Sequence, residues 1–142
     1  MIPGVILVDD SEADRYLTRR AILRSGICNR TLEFDSGEQL LALLDDRERL
    51  RDEAGDTPPP ILVLLDINMP GMTGFDVLDV LKQRFETGRS DSSCMIIMMF
   101  TSSSHPGDRA RASSYGFVRD YLVKPASADQ LKKAVGAHYG AQ

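Results

Sequence analysis

The sequence predicts an α/β fold, a doubly wound sandwich with helices on both faces of a five-stranded parallel sheet. Short, continuous apolar runs recur along the chain: "VILV" at Val5–Val8, "ILVLL" at Ile61–Leu65 and "CMIIMMF" at Cys94–Phe100. Such runs, without polar alternation, suit strands buried on both faces. The stretches between them carry a helical period, so strand and helix alternate throughout, which implies parallel strands with right-handed helical crossovers. The length of 142 residues, 42% of them hydrophobic and 27% charged, suits one domain with a real core.

Taken in order, Val5–Val8 is the first strand and runs into Asp9 and Asp10. A helix follows, with Ala13, Tyr16, Leu17, Ala21 and Leu23 on one arc of about 160° at 100° per residue. Thr31–Phe34, "TLEF", is a weaker second strand. Ser36 is a candidate cap for a helix with Leu40, Leu41 and Leu44 on one side. Arg47–Pro60, charged and then "TPPP", reads as a helix end and an exposed loop rather than a domain linker. The third strand, Ile61–Leu65, ends on Asp66. Thr73 or Gly74 precedes a helix with Val77, Leu78, Leu81 and Phe85 on one face, and Glu86–Ser93 is a second loop. The fourth strand, Cys94–Phe100, ends in Thr101. "HPGDRARASSYG" is a lightly packed helix with Pro106 in its first turn and Gly116 at its end. Tyr121–Val123 is the fifth strand and runs into Lys124 and Pro125. Ser127 caps a last helix that buries Leu131, Ala134 and Val135.

Composition excludes several function classes. The net charge is −4, and Lys and Arg are scattered, which argues against a nucleic-acid surface or an anionic membrane. Cys28 and Cys94 form no CxxC pair and read as small buried hydrophobes, as expected in a reducing compartment. The N-terminus has no basic region before its short apolar run, and no apolar stretch approaches the roughly 20 residues of a membrane span. A cytoplasmic protein is expected.

In open α/β sheets ligands bind beyond the carboxyl ends of the strands. This chain places Asp9 and Asp10, Asp66, Thr101 and Lys124 there, and no Gly-rich phosphate loop after the first strand. Singly these residues are bland. An Asp after a strand usually caps a helix or forms a turn, a Thr is a β-former, and a Lys is usually solvated. The two histidines, His105 and His138, have no partner at ligand spacing, and Met95, Met98 and Met99 are core filler. Together, three carboxylates at one sheet edge repel and raise one another's pKa values, a conflict that a divalent cation removes. Hard oxygen ligands suit Mg2+. A lysine and a hydroxyl beside such a cation can hold an anion, which makes an aspartyl-phosphate site.

On "LVDDS" (Leu7–Ser11), "LLDINMPGMTG" (Leu64–Gly74), "FTSSS" (Phe100–Ser104) and "YLVKP" (Tyr121–Pro125), the chain resembles the receiver domain of two-component response regulators over essentially its full length. The resemblance implies a flavodoxin-like strand order 2-1-3-4-5, with residues 1–142 forming one receiver domain and no output domain. It implies Asp66 as phosphoryl acceptor, and Mg2+ on Asp9, Asp10, Asp66 and the backbone carbonyl of Asn68. Lys124 would pair with the phosphoryl group and Thr101 would donate its hydroxyl to it. Tyr121 would be the aromatic switch whose ring turns inward, and the Lys124–Pro125 bond would be cis. The implied partners are a sensor histidine kinase or phosphotransfer protein, an unknown downstream protein, and a possible second copy bound through the fourth helix, fifth strand and fifth helix. Neither nucleic acid nor membrane is among them.

Two features depart from the commonest pattern. Ser102 stands where Ala or Gly is usual, and the loop before the third strand is long. Two rivals are weaker. A haloacid-dehalogenase-type phosphatase needs a second Asp two residues after the nucleophile as general acid, and Asn68 occupies that position. A receiver-like binding module without phosphoryl chemistry would lack the acceptor, a metal ligand or the lysine, and all are present.

Overall fold

The computed structural model describes residues 2–28, 30–46, 48–49, 52, 61–89, 95–103 and 105–139. The expected loop at Arg47–Pro60 therefore lies outside the described residues except at 48, 49 and 52, as do residues 90–93 of the second loop, Cys94 and Ser104.

The chain alternates strictly: β1 (Val5–Val8), α1 (Glu12–Ser25), β2 (Thr31–Phe34), α2 (Gly37–Asp45), β3 (Ile61–Leu65), α3 (Gly74–Glu86), β4 (Met95–Thr101), α4 (Pro106–Ser113), β5 (Val118–Val123) and α5 (Ala128–Tyr139). All strands are parallel, in the order β2-β1-β3-β4-β5. β1, β3 and β4 are buried at every position, as their unbroken apolar sequences require. β5 begins three residues before the predicted Tyr121, and its pairing with β4 shifts register between Val118, opposite Ile97, and Asp120, opposite Met98.

Alternate side chains along the strands feed two cores. Ile6, Val8, Val63, Leu65, Ile97 and Met99 face α2, α3 and α4. Val5, Leu7, Leu62, Leu64, Met98 and Phe100 face α1 and α5, meeting Ile22, Leu131 and Val135. On the first face Arg84, 8% exposed, reaches across from α3 to the Leu41 carbonyl and Asp45, both at 3.2 Å. This guanidinium ties α2 to α3.

The helix starts follow local chemistry. Ser11 caps α1, its Oγ accepting from the Asp14 N–H at 3.2 Å. Thr73 caps α3 in a reciprocal box with Asp76. His105 caps α4, its Nδ1 accepting from the Gly107 N–H at 3.0 Å. Within α4 only Ala112 is buried, so the helix is as lightly packed as its sequence predicts.

The predicted apolar arc of α1 is corrected. Tyr16, Leu17 and Leu23 are 46%, 57% and 58% exposed, and the buried residues are Thr18, Ile22 and Ser25. Polar anchors at the start of the helix fix its rotation. Arg15 donates to the Asp9 carbonyl at 2.6 Å, and Arg15 and Arg19 both pair with Glu33 on β2. That orientation turns the leucines to water and seats Ile22 on the sheet.

Candidate phosphoryl-acceptor site

Parallel pairing sets every strand's carboxyl end on the same edge. Asp66 N–H donates to the Val8 carbonyl at 3.0 Å, Asp9 N–H to Phe34 at 3.0 Å, and Lys124 N–H to Thr101 at 2.9 Å. The backbone ladder thus continues one residue past each strand and lines up the polar residues. Asp9 and Asp66 are each 6% exposed and Thr101 is fully buried, whereas Asp10 faces solvent. Carboxylate oxygens of Asp9, Asp10 and Asp66 lie within 4.8 Å of one another. The loop beyond Asp66 folds back on a close approach: Gly74 N–H donates to Ile67 at 2.9 Å, and a Cβ at Gly74 would stand 2.2 Å from the Asp66 carbonyl oxygen. Glycine is required there by space.

Lys124 enters from the far side of the edge. Its Nζ bonds to Asp9, to Asp14 at 3.1 Å and to Asp66 at 3.4 Å, and lies 5.8 Å from the centre of the Phe100 ring. The Lys124–Pro125 peptide bond is cis, as expected. Burial pushes the Asp66 carboxyl above the usual carboxylate range; Lys124 opposes this and the charge of Asp9 adds to it. Burial works to lower the Lys124 ammonium, but its hydrogen bond to Asp9 and the charges of Asp66 and Asp9 outweigh it and raise its pKa.

The structure brings together Asp9, Asp10, Asp66 and Lys124, with Thr101 buried at the end of the neighbouring strand. Asn68 lies exposed in the loop after β3. Tyr121 is buried, its hydroxyl donating to the Ser103 carbonyl at 2.7 Å, with the Arg109 guanidinium 4.7 Å from the ring centre. The sequence reading missed Asp14 and Arg15. The signal was available: four residues past Asp10 is one helical turn, so the first turn of α1 returns to the same edge.

The donor set fits a hard divalent cation. All three acidic side chains offer oxygen, and Asp66 Oδ1 is buried with no hydrogen-bond partner among the described residues. A buried acceptor left open beside two further carboxylates is what a cation would satisfy.

A parallel sheet in the order 2-1-3-4-5 with a carboxylate-lined edge and one lysine reaching into it defines a doubly wound α/β fold centred on an acidic site. Comparison with known proteins places the chain within that class: residues 5–136 match the response regulator receiver domain, and the chain belongs to that family. Over 92% of its length it is 34% identical to the probable methanogenesis regulatory protein FilR2 of Methanothrix harundinacea, covering 77% of that protein. It is 30% identical to the response regulator Rcp1 of Synechocystis over 92% of this chain and 82% of that one. Against the nitrate/nitrite response regulator NarL of Escherichia coli, at 30% identity, it spans about half (52%) of the relative's length. Among solved structures, a two-component response regulator of Cytophaga hutchinsonii superposes with a TM-score of 0.77 at 27% identity, over 94% of each chain. Among the described residues no helix is long and apolar enough to cross a membrane.

Proposed function

We propose that this chain is a phosphorylation-controlled switch that accepts a phosphoryl group on Asp66 from the phosphohistidine of a sensor kinase or phosphotransfer protein. The observation that carries this reading is Asp66 itself. It is a buried carboxylate with one oxygen unpartnered among the described residues and the other 3.4 Å from a largely enclosed ammonium, beside two more carboxylates. A structural aspartate at a strand end has no use for that arrangement.

In the proposed step an Asp66 oxygen attacks phosphorus, the phosphorus–nitrogen bond of phosphohistidine breaks, and the freed imidazole keeps the bond's electron pair. Lys124 and the Thr101 hydroxyl take the charge that gathers on the phosphoryl oxygens. Mg2+ held by Asp9, Asp10, Asp66 and the Asn68 carbonyl would neutralise the carboxylates and polarise the same oxygens. Return to the resting form is attack of water on phosphorus, which releases the Asp66 carboxylate. Asn68 supplies no general acid, which speaks against turnover as a phosphatase.

Output on this reading is protein binding rather than catalysis. Residues 1–142 act as one receiver unit, with a downstream protein or a second copy meeting α4, β5 and α5. The test is intact-mass measurement after incubation with Mg2+ and a small phosphodonor such as acetyl phosphate. One phosphoryl group is expected on the wild type and none on Asp66→Asn. Equal labelling of the two proteins would remove Asp66 from its role.

A further inference from the structure

Lys124 carries three N–H donors, and three carboxylates surround it: Asp9, Asp14 and Asp66. Two of these, Asp9 and Asp66, belong to the trio that converges as a cation site, and Asp14 does not. Asp14 stands on the first turn of α1 with its backbone held at both ends. Its N–H is capped by Ser11 at 3.2 Å, and its carbonyl accepts from the Thr18 hydroxyl at 2.8 Å. Its carboxylate is 41% exposed, against 9% for the Lys124 side chain, and reaches the ammonium from the rim of the site.

A cavity of about 40 Å³ lies on that side, lined by Asp14, Leu17, Phe100, Lys124 and Pro125 among others. It has room for a water-sized group. Carboxylates that coordinate a divalent cation have less charge to offer an ammonium. If Asp9 and Asp66 were Lys124's only partners, a cation would strand a buried ammonium, which is strongly unfavourable. Asp14 supplies an anion that the cation does not claim, beside space into which the ammonium can shift.

We propose that Asp14 is a positioning residue: it takes over the Lys124 ammonium when a divalent cation draws on Asp9, Asp10 and Asp66, which makes the cation easier to bind and keeps the lysine beside Asp66. The last clause rests on Asp66 as phosphoryl acceptor; the cation part stands without it.

The experiment is isothermal titration of Mg2+ into the wild type, Asp14→Asn, Asp14→Glu and Glu12→Gln. Glu12 is an exposed acid on the same turn, so Glu12→Gln removes equal charge without touching Lys124. Asp14→Asn should weaken Mg2+ binding at least fivefold, Asp14→Glu should restore it to within twofold, and Glu12→Gln should change it less than twofold. Initial phosphorylation rates against Mg2+ concentration give a second readout. In Asp14→Asn the half-saturating Mg2+ should rise fivefold, and the rate at saturating Mg2+ should fall at least twofold as Lys124 loses its hold beside Asp66. Unchanged Mg2+ affinity in Asp14→Asn, an equal loss in Glu12→Gln, or no Mg2+ binding by the wild type would overturn the proposal. A wild type that binds Mg2+ but takes no phosphoryl group overturns the acceptor reading instead, and the calorimetric comparison still decides the role of Asp14.

Discussion

Single residues here carry conflicts that their neighbours partly resolve. Asp66 is buried against the preference of a carboxylate, and the charge of Lys124 and the hydroxyl of Thr101, both from neighbouring elements, relieve it only in part. The polar identities were legible in the sequence because each follows an apolar run. Asp14 was passed over, because taken singly it looks like an ordinary first-turn acid, and only its place one helical turn beyond Asp10 points it at the site. Ser102, exposed beside Thr101, puts a hydroxymethyl where the family usually has a smaller side chain. If it obstructs water or steadies the phosphoryl group, Ser102→Ala should shorten the phosphoaspartate half-life about twofold or more, roughly 0.4 kcal/mol in barrier. Following the decay of the phosphorylated mass checks this, and an unchanged half-life would acquit the serine. Far from the site, burial raises the Tyr139 phenol above its ordinary range, and the neighbouring Cys28 adds to this. A group whose folded pKa is raised contributes stability that is complete below its unfolded pKa and is lost as pH rises toward the folded one. The unfolding free energy from urea titration should therefore fall above about pH 10, the unfolded tyrosine value, by up to ~1.4 kcal/mol per pH unit for this one group. Tyr139→Phe should flatten that decline, and equal slopes for the two proteins would refute it.

At the scale of elements, α1 shows where periodicity misleads. Its apolar residues share an arc, yet the helix is turned by capping and ion pairs so that Tyr16, Leu17 and Leu23 meet water while Thr18, Ile22 and Ser25 meet the core. Hydrophobic pattern reports which face would gain most from burial; it does not report the anchors at Asp9 and Glu33 that decide the rotation. The strands were easier to read, because an unbroken apolar run has no wrong face to choose. Ile22→Ala should cost about 2–5 kcal/mol by leaving a cavity on the sheet. Leu17→Ala, at the surface, should stay within about 0.5 kcal/mol. Denaturant unfolding of the two variants tests the corrected rotation, and the reverse ranking would restore the sequence-based one. The turn into α3 is less forgiving. Gly74→Ala drives a methyl into the Asp66 carbonyl, 2.2 Å away, and should cost about 3 kcal/mol while shifting Asp66 itself.

For the whole molecule, strand order needed the family resemblance, since alternation alone leaves several parallel orders open. The proposed switch is likewise a property of several elements together. Thr101 ends β4, Tyr121 lies on β5 with its hydroxyl on Ser103, and Ala112 is the one buried residue of α4. An element with so few buried contacts can shift at low cost. Hydrogen exchange of the protein with and without Mg2+ and beryllofluoride should change around residues 100–103 and 109–121. Changes confined to the groups touching the anion would break the proposed route to α4, β5 and α5. Lys124 meets Asp9 across 115 residues of sequence, the first strand end joined to the last. Because the chain is made from its N-terminus, the acidic residues emerge long before the one buried cation that faces them, and β5 can join only the outer side of β4 once both exist. A nascent or partly folded chain therefore holds carboxylates with no lysine to gather a phosphoryl group. On the proposed function, competence to take a phosphoryl group would arrive only with the closing of the sheet, and an immature copy would stay silent.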